Sequence, residues 1–184
     1  MAILLLEDGT INSDLVDIAH ELSPLGINLK HYEPSMPVFL SDLLSQEILT
    51  DKEKNYILEI HDSLFEFLKN EGGYLGSDLL SVHPGLPDLD TLIATYNHYH
   101  FHTAPEALYM LAGEMIFGFV RPDRSQVQLL IQAQDYIHIP AKVEHWIRPA
   151  ASLHCKAVRY FTTVDGWMPH YTGTQISDFL RKQR

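Results

Sequence analysis

Four side chains in two short stretches of this sequence have the types and the spacing of metal ligands. His100, His102 and Glu106 follow the pattern His-x-His-x3-Glu, and His145 comes in a second stretch. Neutral imidazole nitrogens and carboxylate oxygens bind first-row divalent metals, whereas structural zinc sites are usually rich in thiolates. Three imidazoles and one carboxylate would leave two positions of an octahedral metal open for a bidentate substrate or for oxygen. The pattern therefore predicts a redox-active divalent metal that does oxygen chemistry on a small molecule.

The backbone conformation around the first stretch decides which of these side chains meet. In a strand, alternate side chains share a face, so His98, His100 and His102 would point the same way. A helix would instead bring together His98, His102 and Glu106, but Pro105 would break the hydrogen bonds of such a helix. We therefore expect a strand with His100 and His102 as ligands. His98 is expected outside the ligand set, as a partner of a ligand or at the mouth of the site.

A series of short strands is expected to position these residues, because turn residues recur between the apolar segments of the second half of the chain. The predicted strands cover residues 96–102, 106–112, 114–120, 126–132, 136–139, 145–149, 155–163 and 166–171. Many short strands at this spacing are typical of a sandwich or barrel. The interior of a small barrel is filled by apolar side chains, so inward imidazoles need a partner such as a metal.

The N-terminal part of the chain is expected to contain helices. Ser13 is the expected N-cap of a helix that runs to Leu22. Thr50 and Glu53 form a capping box at the start of a second helix. The apolar stripe of this second helix consists of Ile57, Ile60, Leu64, Phe67 and Leu68. We expect the stripe to pack against the rest of the domain, and a partner-binding surface is the alternative.

We expect one domain over residues 1–184, mainly β with N-terminal helices. Residues 1–85 would form a helix-containing part that packs on the barrel, with short strands over 2–6, 27–32 and 78–83. Residues 86–173 would form the metal-binding β-barrel, and residues 174–184 a C-terminal tail with a short helix.

The composition excludes several classes of function. A formal net charge of −11 argues against nucleic-acid binding and against an anionic membrane surface. No stretch approaches the roughly 18 uninterrupted apolar residues of a membrane span. Cys155 is the only cysteine, so there is no intramolecular disulfide framework. We expect a cytoplasmic monomer whose partners are a small-molecule substrate and O2.

The same residues resemble the two motifs of the cupin superfamily. His100-x-His102-x3-Glu106-x6-Gly113 is similar to the first motif, and Pro140-x4-His145 has the spacing of the second. Within the cupins, the chain resembles the acireductone dioxygenase family over most of its length. The further stretches that carry this resemblance are Lys69–Tyr74, Ser77–Val82, Ile139–Ala141, His145–Trp146, Ala157–Phe161, Asp165–Trp167 and Tyr171–Gly173.

The resemblance implies a fold, a reaction and a cofactor. The fold would be the cupin-type double-stranded β-helix, or jelly-roll barrel. The substrate would be an acireductone, 1,2-dihydroxy-3-keto-5-methylthiopentene, which O2 would cleave to a 2-keto acid and formate in methionine salvage. The metal would be Fe2+. Ni2+ in the same site would instead support an off-pathway cleavage that releases carbon monoxide.

Three further positions bear on the substrate pocket. Leu108 stands where the family usually has an arginine, and in a strand it would share the face of Glu106 and line the pocket. Arg159 matches a family arginine and would supply the missing charge as a catalytic residue, unless it is an exposed strand arginine. Trp167 matches a family aromatic and would wall the pocket, unless it is a core or rim residue.

Two other functions fit the same residues. One is a cupin dioxygenase that acts on a different enediol or diketone, which Leu108 allows. The other is a non-catalytic, metal-containing cupin that binds a small molecule as a sensor or carrier. The fold alone does not choose between them, because one barrel hosts many functions.

Overall fold

The architecture is two antiparallel sheets that share one long strand. The computed structural model describes residues 1–32, 38–60, 66–67, 70, 73–163 and 168–181. Strands lie at β1 (Ile3–Leu6), β2 (Ile11–Asn12), β3 (Asn28–His31), β4 (Gly76–Val82), β5 (His100–Phe101), β6 (Glu106–Val120), β7 (Gln126–Gln132), β8 (Asp135–Ile139), β9 (His145–Pro149), β10 (Cys155–Phe161) and β11 (His170–Tyr171). Helices lie at α1 (Leu15–Leu22), followed by a 3-10 turn at Ser23–Leu25, and at α2 (Val38–Ser45), α3 (Asp51–Ile60), α4 (Leu89–Tyr96) and α5 (Asp178–Arg181).

The shared strand is β6, whose two halves pair with different neighbours. Its first half pairs with β8 and β10 in a sheet of order β3-β8-β6-β10-β4. Its second half pairs with β7 and β9 in a sheet of order β11-β5-β9-β6-β7-β1-β2. Apolar side chains from both sheets, such as Leu108 and Phe117, form one buried cluster. The chain is therefore mainly β with a barrel-like core, as predicted, and it has the cupin-type fold.

Gly113 marks the point at which β6 passes from one sheet to the other. The prediction of two strands separated by a turn at Gly113 was wrong, because the strand continues through it. Gly113 has a φ of 75°, and a Cβ atom there would lie 1.9 Å from the carbonyl oxygen of His154. The pairing of β6 with β10 also shifts between Lys156 and Ala157, as at a β-bulge. A glycine is needed at this position because the backbone bends where β10 approaches it closely.

The N-terminal part contributes strands to both sheets as well as helices. Helix α1 buries Ile18 and Leu22 in the main core. Its N-cap is Asp14, whose carboxylate accepts hydrogen bonds from the backbone N–H groups of Val16 and Asp17. The prediction of Ser13 as the N-cap was therefore one residue too early. The domain boundaries at 85/86 and 173/174 stay a prediction.

Helix α3 begins with the predicted capping box. The backbone N–H of Thr50 donates to Oε2 of Glu53 at 2.7 Å, and the backbone N–H of Glu53 donates to Oγ1 of Thr50 at 3.3 Å. Ile57 is buried and Ile60 packs beside it in a second cluster with the outer face of β6 and β10. Phe67 is 48% exposed, so the prediction of packing was wrong for this residue. The stripe positions Leu64 and Leu68 lie outside the described residues.

Two helices, α2 and α4, were not predicted, and α4 matters for the site. The predicted strand over 96–102 was too long, because Tyr96 is the last residue of α4 and β5 contains only His100 and Phe101. The predicted strand over 166–171 reduces to β11 in the described part, and residues 164–167 lie outside it. Among the helices of the described ranges, none is both long enough and apolar enough to cross a membrane.

Candidate metal centre

The ends of three strands bring the predicted ligands together. β5 pairs with β9 so that His100 lies directly opposite His145. His102 follows β5, and Glu106 is the first residue of β6. All four side chains are at least 97% buried. The bends before β6 and β9 therefore place residues that are distant in sequence at one point inside the barrel.

The three imidazoles surround a common point. The ring centroids of His100 and His145 are 4.6 Å apart, those of His100 and His102 are 4.9 Å apart, and those of His102 and His145 are 5.4 Å apart. One ring nitrogen from each histidine lies within 4.8 Å of the others, a spacing that a single metal ion can bridge. The structure therefore contains a three-histidine group that can hold a metal.

Backbone carbonyl groups fix the protonation of each ring. Nδ1 of His100 lies 2.7 Å from the carbonyl oxygen of His98, and Nδ1 of His145 lies 2.9 Å from that of Val143. Nδ1 of His102 lies 3.1 Å from the carbonyl oxygen of Met168. A carbonyl oxygen only accepts, so each Nδ1 carries the hydrogen and each Nε2 directs its lone pair inward. This arrangement of tautomers is the one that metal binding requires.

Glu106 places a carboxylate beside two of these nitrogens. Its Oε2 atom lies 2.9 Å from Nε2 of His145 and 3.5 Å from Nε2 of His102. Nδ1 of His145 already donates its hydrogen to a carbonyl oxygen. Nε2 of His145 and the Glu106 carboxylate are therefore two hydrogen-bond acceptors in close contact, which is stable only with a positive charge between them. A proton or a metal cation meets that requirement.

The electrostatic environment keeps the imidazoles of His100 and His102 neutral and the carboxylate of Glu106 charged. Burial, together with the neighbouring His145, lowers the pKa of His100 to about 4. Burial also lowers the pKa of His102, against the opposing effect of Glu106. For Glu106, burial alone would raise the pKa, but the close approach of His145 and the other nearby imidazoles bring the pKa below its usual value. Neutral imidazole and ionised carboxylate are the forms that bind a divalent metal.

A buried ring nitrogen of this centre has no hydrogen-bond partner in the described part of the chain. Nε2 of His100 is buried and has no hydrogen-bond partner there. Buried polar atoms in folded proteins are almost always satisfied, so such an atom calls for an explanation. A metal ion between the three imidazoles would be the missing partner of this nitrogen. The set of donor atoms therefore fits a first-row divalent metal.

A cavity adjoins this centre at Glu106. Its empty space, the part open to solvent included, is about 480 Å³, and it is bounded by both sheets and by α4. The residues that line it are Leu80, Val82, Leu92, Ile93, Tyr96, Glu106, Leu108, Met115, Ile147, Arg148, Pro149 and Arg159. The lining is mostly apolar. Glu106 belongs both to the cavity wall and to the group of predicted ligands His100, His102, Glu106 and His145, which we call the ligand cluster.

The structure places Leu108 and Arg159 in the cavity wall but Trp167 lies outside the described residues. Leu108 is fully buried and faces Arg159 across the β6–β10 pair. Arg159 also faces Asp78 on β4, and its Nε and Nη2 atoms donate to the two carboxylate oxygens at 2.8 and 2.5 Å. The charge of Arg159 is therefore balanced by Asp78, a partner that the sequence analysis did not identify.

His98 and Tyr96 complete the surroundings of the ligands. The side chain of His98 is exposed, and only its carbonyl group contacts a ligand. The Tyr96 ring centroid lies 5.7 Å from that of His100 and 6.5 Å from that of His102. Burial raises the pKa of the Tyr96 phenol, so the hydroxyl stays protonated. Tyr96 was not predicted as a site residue, although the i, i+3, i+4, i+7 spacing of the apolar residues of α4 indicates a helix that ends at Tyr96.

This chain is similar over nearly its whole length to proteins of one family. A model of the ARD/ARD' family matches residues 21–169. The acireductone dioxygenase of Nostoc sp. is 65% identical over 182 residues, which cover 99% of this chain and 100% of that protein. The acireductone dioxygenase of Trichodesmium erythraeum is 48% identical over 176 residues, which cover 96% of this chain and 97% of that protein. A solved structure, the acireductone dioxygenase from Bacillus anthracis with a cadmium ion in its active centre, superposes with a TM-score of 0.86 at 25% identity and covers 93% of this chain and 98% of its own.

Proposed function

The chain belongs to the ARD/ARD' family, and we propose that it is a metal-dependent acireductone dioxygenase. The observation that carries the proposal is the cluster of three inward imidazoles with the carboxylate of Glu106, which also lines a mostly apolar cavity. The reaction is the cleavage of 1,2-dihydroxy-3-keto-5-methylthiopentene by O2 to a 2-keto acid and formate, a step of methionine salvage.

His100, His102, Glu106 and His145 are the proposed ligands of the metal. The first three are supplied by the segment around β5 and the start of β6, and His145 by the start of β9. Fe2+ is the proposed cofactor for this reaction, and Ni2+ fits the same nitrogen and oxygen donors. A bound iron ion would supply Lewis acidity to the enediol and a route for electrons to oxygen.

The reaction balances without a further reductant. The bond between the first two carbons of the substrate breaks, and each of these carbons carries one oxygen before the reaction. The first carbon leaves as formate and the second becomes the carboxylate of the keto acid, so each gains one atom of the same O2 molecule. The protein must therefore orient the enediol and keep water away while these two bonds form.

The cavity is suited to orient this substrate. Its apolar residues, such as Leu80, Leu92 and Met115, accommodate the methylthioalkyl tail. Glu106 lies at the end of the cavity beside the imidazoles, which sets the enediol end toward the ligand cluster. Arg159 contributes a guanidinium group that Asp78 holds in place. Trp167 stays a proposed wall residue.

The test of this function is a reconstitution in which metal and turnover are measured together. Metal-free protein is loaded anaerobically with Fe2+, and acireductone is then added under air. The expected result is one iron ion per chain, consumption of O2, and formate in equal amount. Protein with full iron occupancy that consumes no oxygen would overturn the proposal. His100→Ala should lose metal, and a matched surface variant, His20→Ala, should keep it.

A second candidate substrate is favoured by one observation. Leu108 is fully buried in the cavity wall and offers no charge to the substrate. A different enediol or a diketone would therefore also fit, and the same oxygen-uptake assay with several enediols ranks them by kcat/KM. A non-catalytic sensor or carrier would instead be stabilised by such a molecule without consuming it.

We also propose a cytoplasmic, monomeric enzyme. The support for the compartment is that Cys155, the single cysteine of the sequence, is a buried free thiol, as expected where disulfides are rare. Size-exclusion chromatography with light scattering tests the monomer directly.

A further inference from the structure

Tyr96 is a polar residue of the cavity that the ligand cluster does not use. It ends α4, and two other residues of this helix, Leu92 and Ile93, line the cavity with it. Its ring contacts the imidazoles of His100 and His102 at centroid distances of 5.7 and 6.5 Å. Tyr96 therefore lies where the apolar cavity meets the metal ligands.

The hydroxyl group of Tyr96 makes no hydrogen bond within the described ranges of the chain, since its contacts there are ring contacts and electrostatic interactions. A phenol has an ordinary pKa of about 10, so the group is an O–H donor at neutral pH. The nearby Tyr171 is different, because its hydroxyl donates to the carbonyl oxygen of Thr95 at 2.9 Å. Of these two hydroxyl groups, that of Tyr96 is the one available to a molecule in the cavity.

The proposed substrate has more oxygen atoms than a metal can hold in two open positions. Its two enediol oxygens and its ketone oxygen lie on three adjacent carbons. If two of them occupy the metal, the third lies in the cavity and needs a donor, because an unpaired polar group in apolar surroundings is costly. The cavity wall offers few donors for it.

The other polar residues of the wall are less suited to this task. Nε and Nη2 of Arg159 donate to Asp78. The guanidinium carbon of Arg148 lies 5.9 Å above the Trp146 ring, on the opposite face of β9 from the ligand His145. Ionised Glu106 only accepts. Leu108, on the adjacent strand β6, is apolar.

We propose that Tyr96 is a substrate-orienting residue whose hydroxyl donates a hydrogen bond to the substrate oxygen that the metal does not hold. This rests on the proposed function. The Tyr96 hydroxyl on α4 then provides a polar contact to the substrate that the apolar Leu108 on β6 cannot make. The consequence is a preference for ligands with a third oxygen over ligands that have only two adjacent oxygens.

The test compares Tyr96→Phe with wild-type protein in anaerobic binding. Both proteins are loaded with Fe2+, their iron content is measured, and acireductone or catechol is titrated while the absorbance of the ligand is followed. Catechol has two adjacent oxygens and lacks the third. The expected result is that Tyr96→Phe binds acireductone about 10- to 100-fold more weakly, the range for loss of a hydrogen bond to a polar or charged group. Catechol binding and iron content should be unchanged.

Tyr171→Phe is the matched control, because it removes a hydroxyl from a tyrosine that also contacts His100 but has its own partner outside the cavity. It should bind both ligands as wild type does. Equal acireductone affinity of Tyr96→Phe and wild type would overturn the role of Tyr96, and so would an equal loss of affinity for catechol. If wild-type protein binds acireductone without consuming oxygen, the proposed function fails while the binding comparison still decides the role of Tyr96. If wild type binds no acireductone, both proposals are overturned.

Discussion

The contact between Gly118 and Trp146 allows a quantitative test of how the barrel holds the metal centre. Gly118 on β6 pairs with Trp146 on β9, next to the proposed ligand His145. A Cβ atom at Gly118 would lie 2.0 Å from Nε1 and 2.1 Å from Cε2 of the indole. Carbon atoms in contact lie roughly 3.5–4.0 Å apart, so Gly118→Ala requires the indole to move by more than about 1 Å.

The indole has little space for this movement. Trp146 has no exposed surface and packs in a cluster with Tyr99 and Leu180. Overpacking a core costs about 1–3 kcal/mol, and loss of a buried tryptophan costs about 3–5 kcal/mol. We therefore expect Gly118→Ala to lower the free energy of unfolding of the metal-free protein by about 2–5 kcal/mol, which is roughly 5–20 °C in Tm for a chain of this size.

The measurement is thermal and chemical unfolding of the metal-free proteins, followed by iron content after reconstitution. Iron content should fall as well, because a displaced indole moves the strand that carries His145. Gly76→Ala is the control, since Gly76 is also in a strand but a Cβ atom there meets nothing within 4 Å. It should change the free energy of unfolding by less than about 0.5 kcal/mol. Equal unfolding temperatures for Gly118→Ala and Gly76→Ala would refute the close-packing argument.

Three further predictions concern the ligands, the cavity charge and the response to pH. Glu106→Gln should reduce iron content while leaving the fold intact. Removal of iron by a chelator should lower the Tm of wild type but not of this variant, because a free metal concentration of 100 times the Kd adds about 2.7 kcal/mol to the free energy of unfolding. An unchanged chelator effect in the variant would count against Glu106 as a ligand. A lysine at position 159 cannot form the bidentate pair with Asp78, so Arg159→Lys should lower kcat/KM about tenfold. The free energy of unfolding should change by less than about 1 kcal/mol, because the pair is partly exposed. A kcat/KM equal to that of wild type would show that Arg159 has no role in the reaction. Burial lowers the pKa of His138 below its ordinary value of 6.5, so the unfolded chain binds more protons at this residue and stability is lost as the pH falls through 6.5 toward the lowered value. His138→Gln should show a smaller loss than wild type over this pH range in metal-free unfolding experiments, and parallel curves for the two proteins would contradict the assignment.

Much of the candidate site could be predicted because it depends on local spacing. His100 and His102 alternate in one short extended segment, and Glu106 opens the next strand, so their common direction follows from the strand period alone. The strands β7 to β10 were found for the same reason, since turn residues and alternation depend on neighbouring positions in the sequence. The capping box of Thr50 and Glu53 is equally local, and it was confirmed.

The remaining features depend on contacts between segments that are far apart in sequence. Nothing near Gly113 indicates that β10 approaches it, so one strand was read as two. Arg159 was expected to supply a charge, and only the register of β4 against β10 places Asp78 opposite it. The N-cap of α1 differs by one residue because Ser13 and Asp14 are both good capping residues and the packing of the helix selects between them.

Tyr96 shows most clearly the difference between local features and contacts that depend on the tertiary structure. The sequence by itself determined the fold class and predicted the ligand set, because residue types and local periods are properties of neighbours along the chain, whereas Tyr96 was expected at the start of a strand. The packing of α4 against β9 and the cavity was decided only by the tertiary structure, which turns this residue toward the imidazoles. The physical reason is that helix orientation is set by the surfaces that the helix buries, and those surfaces come from strands such as β9 that are distant in the sequence.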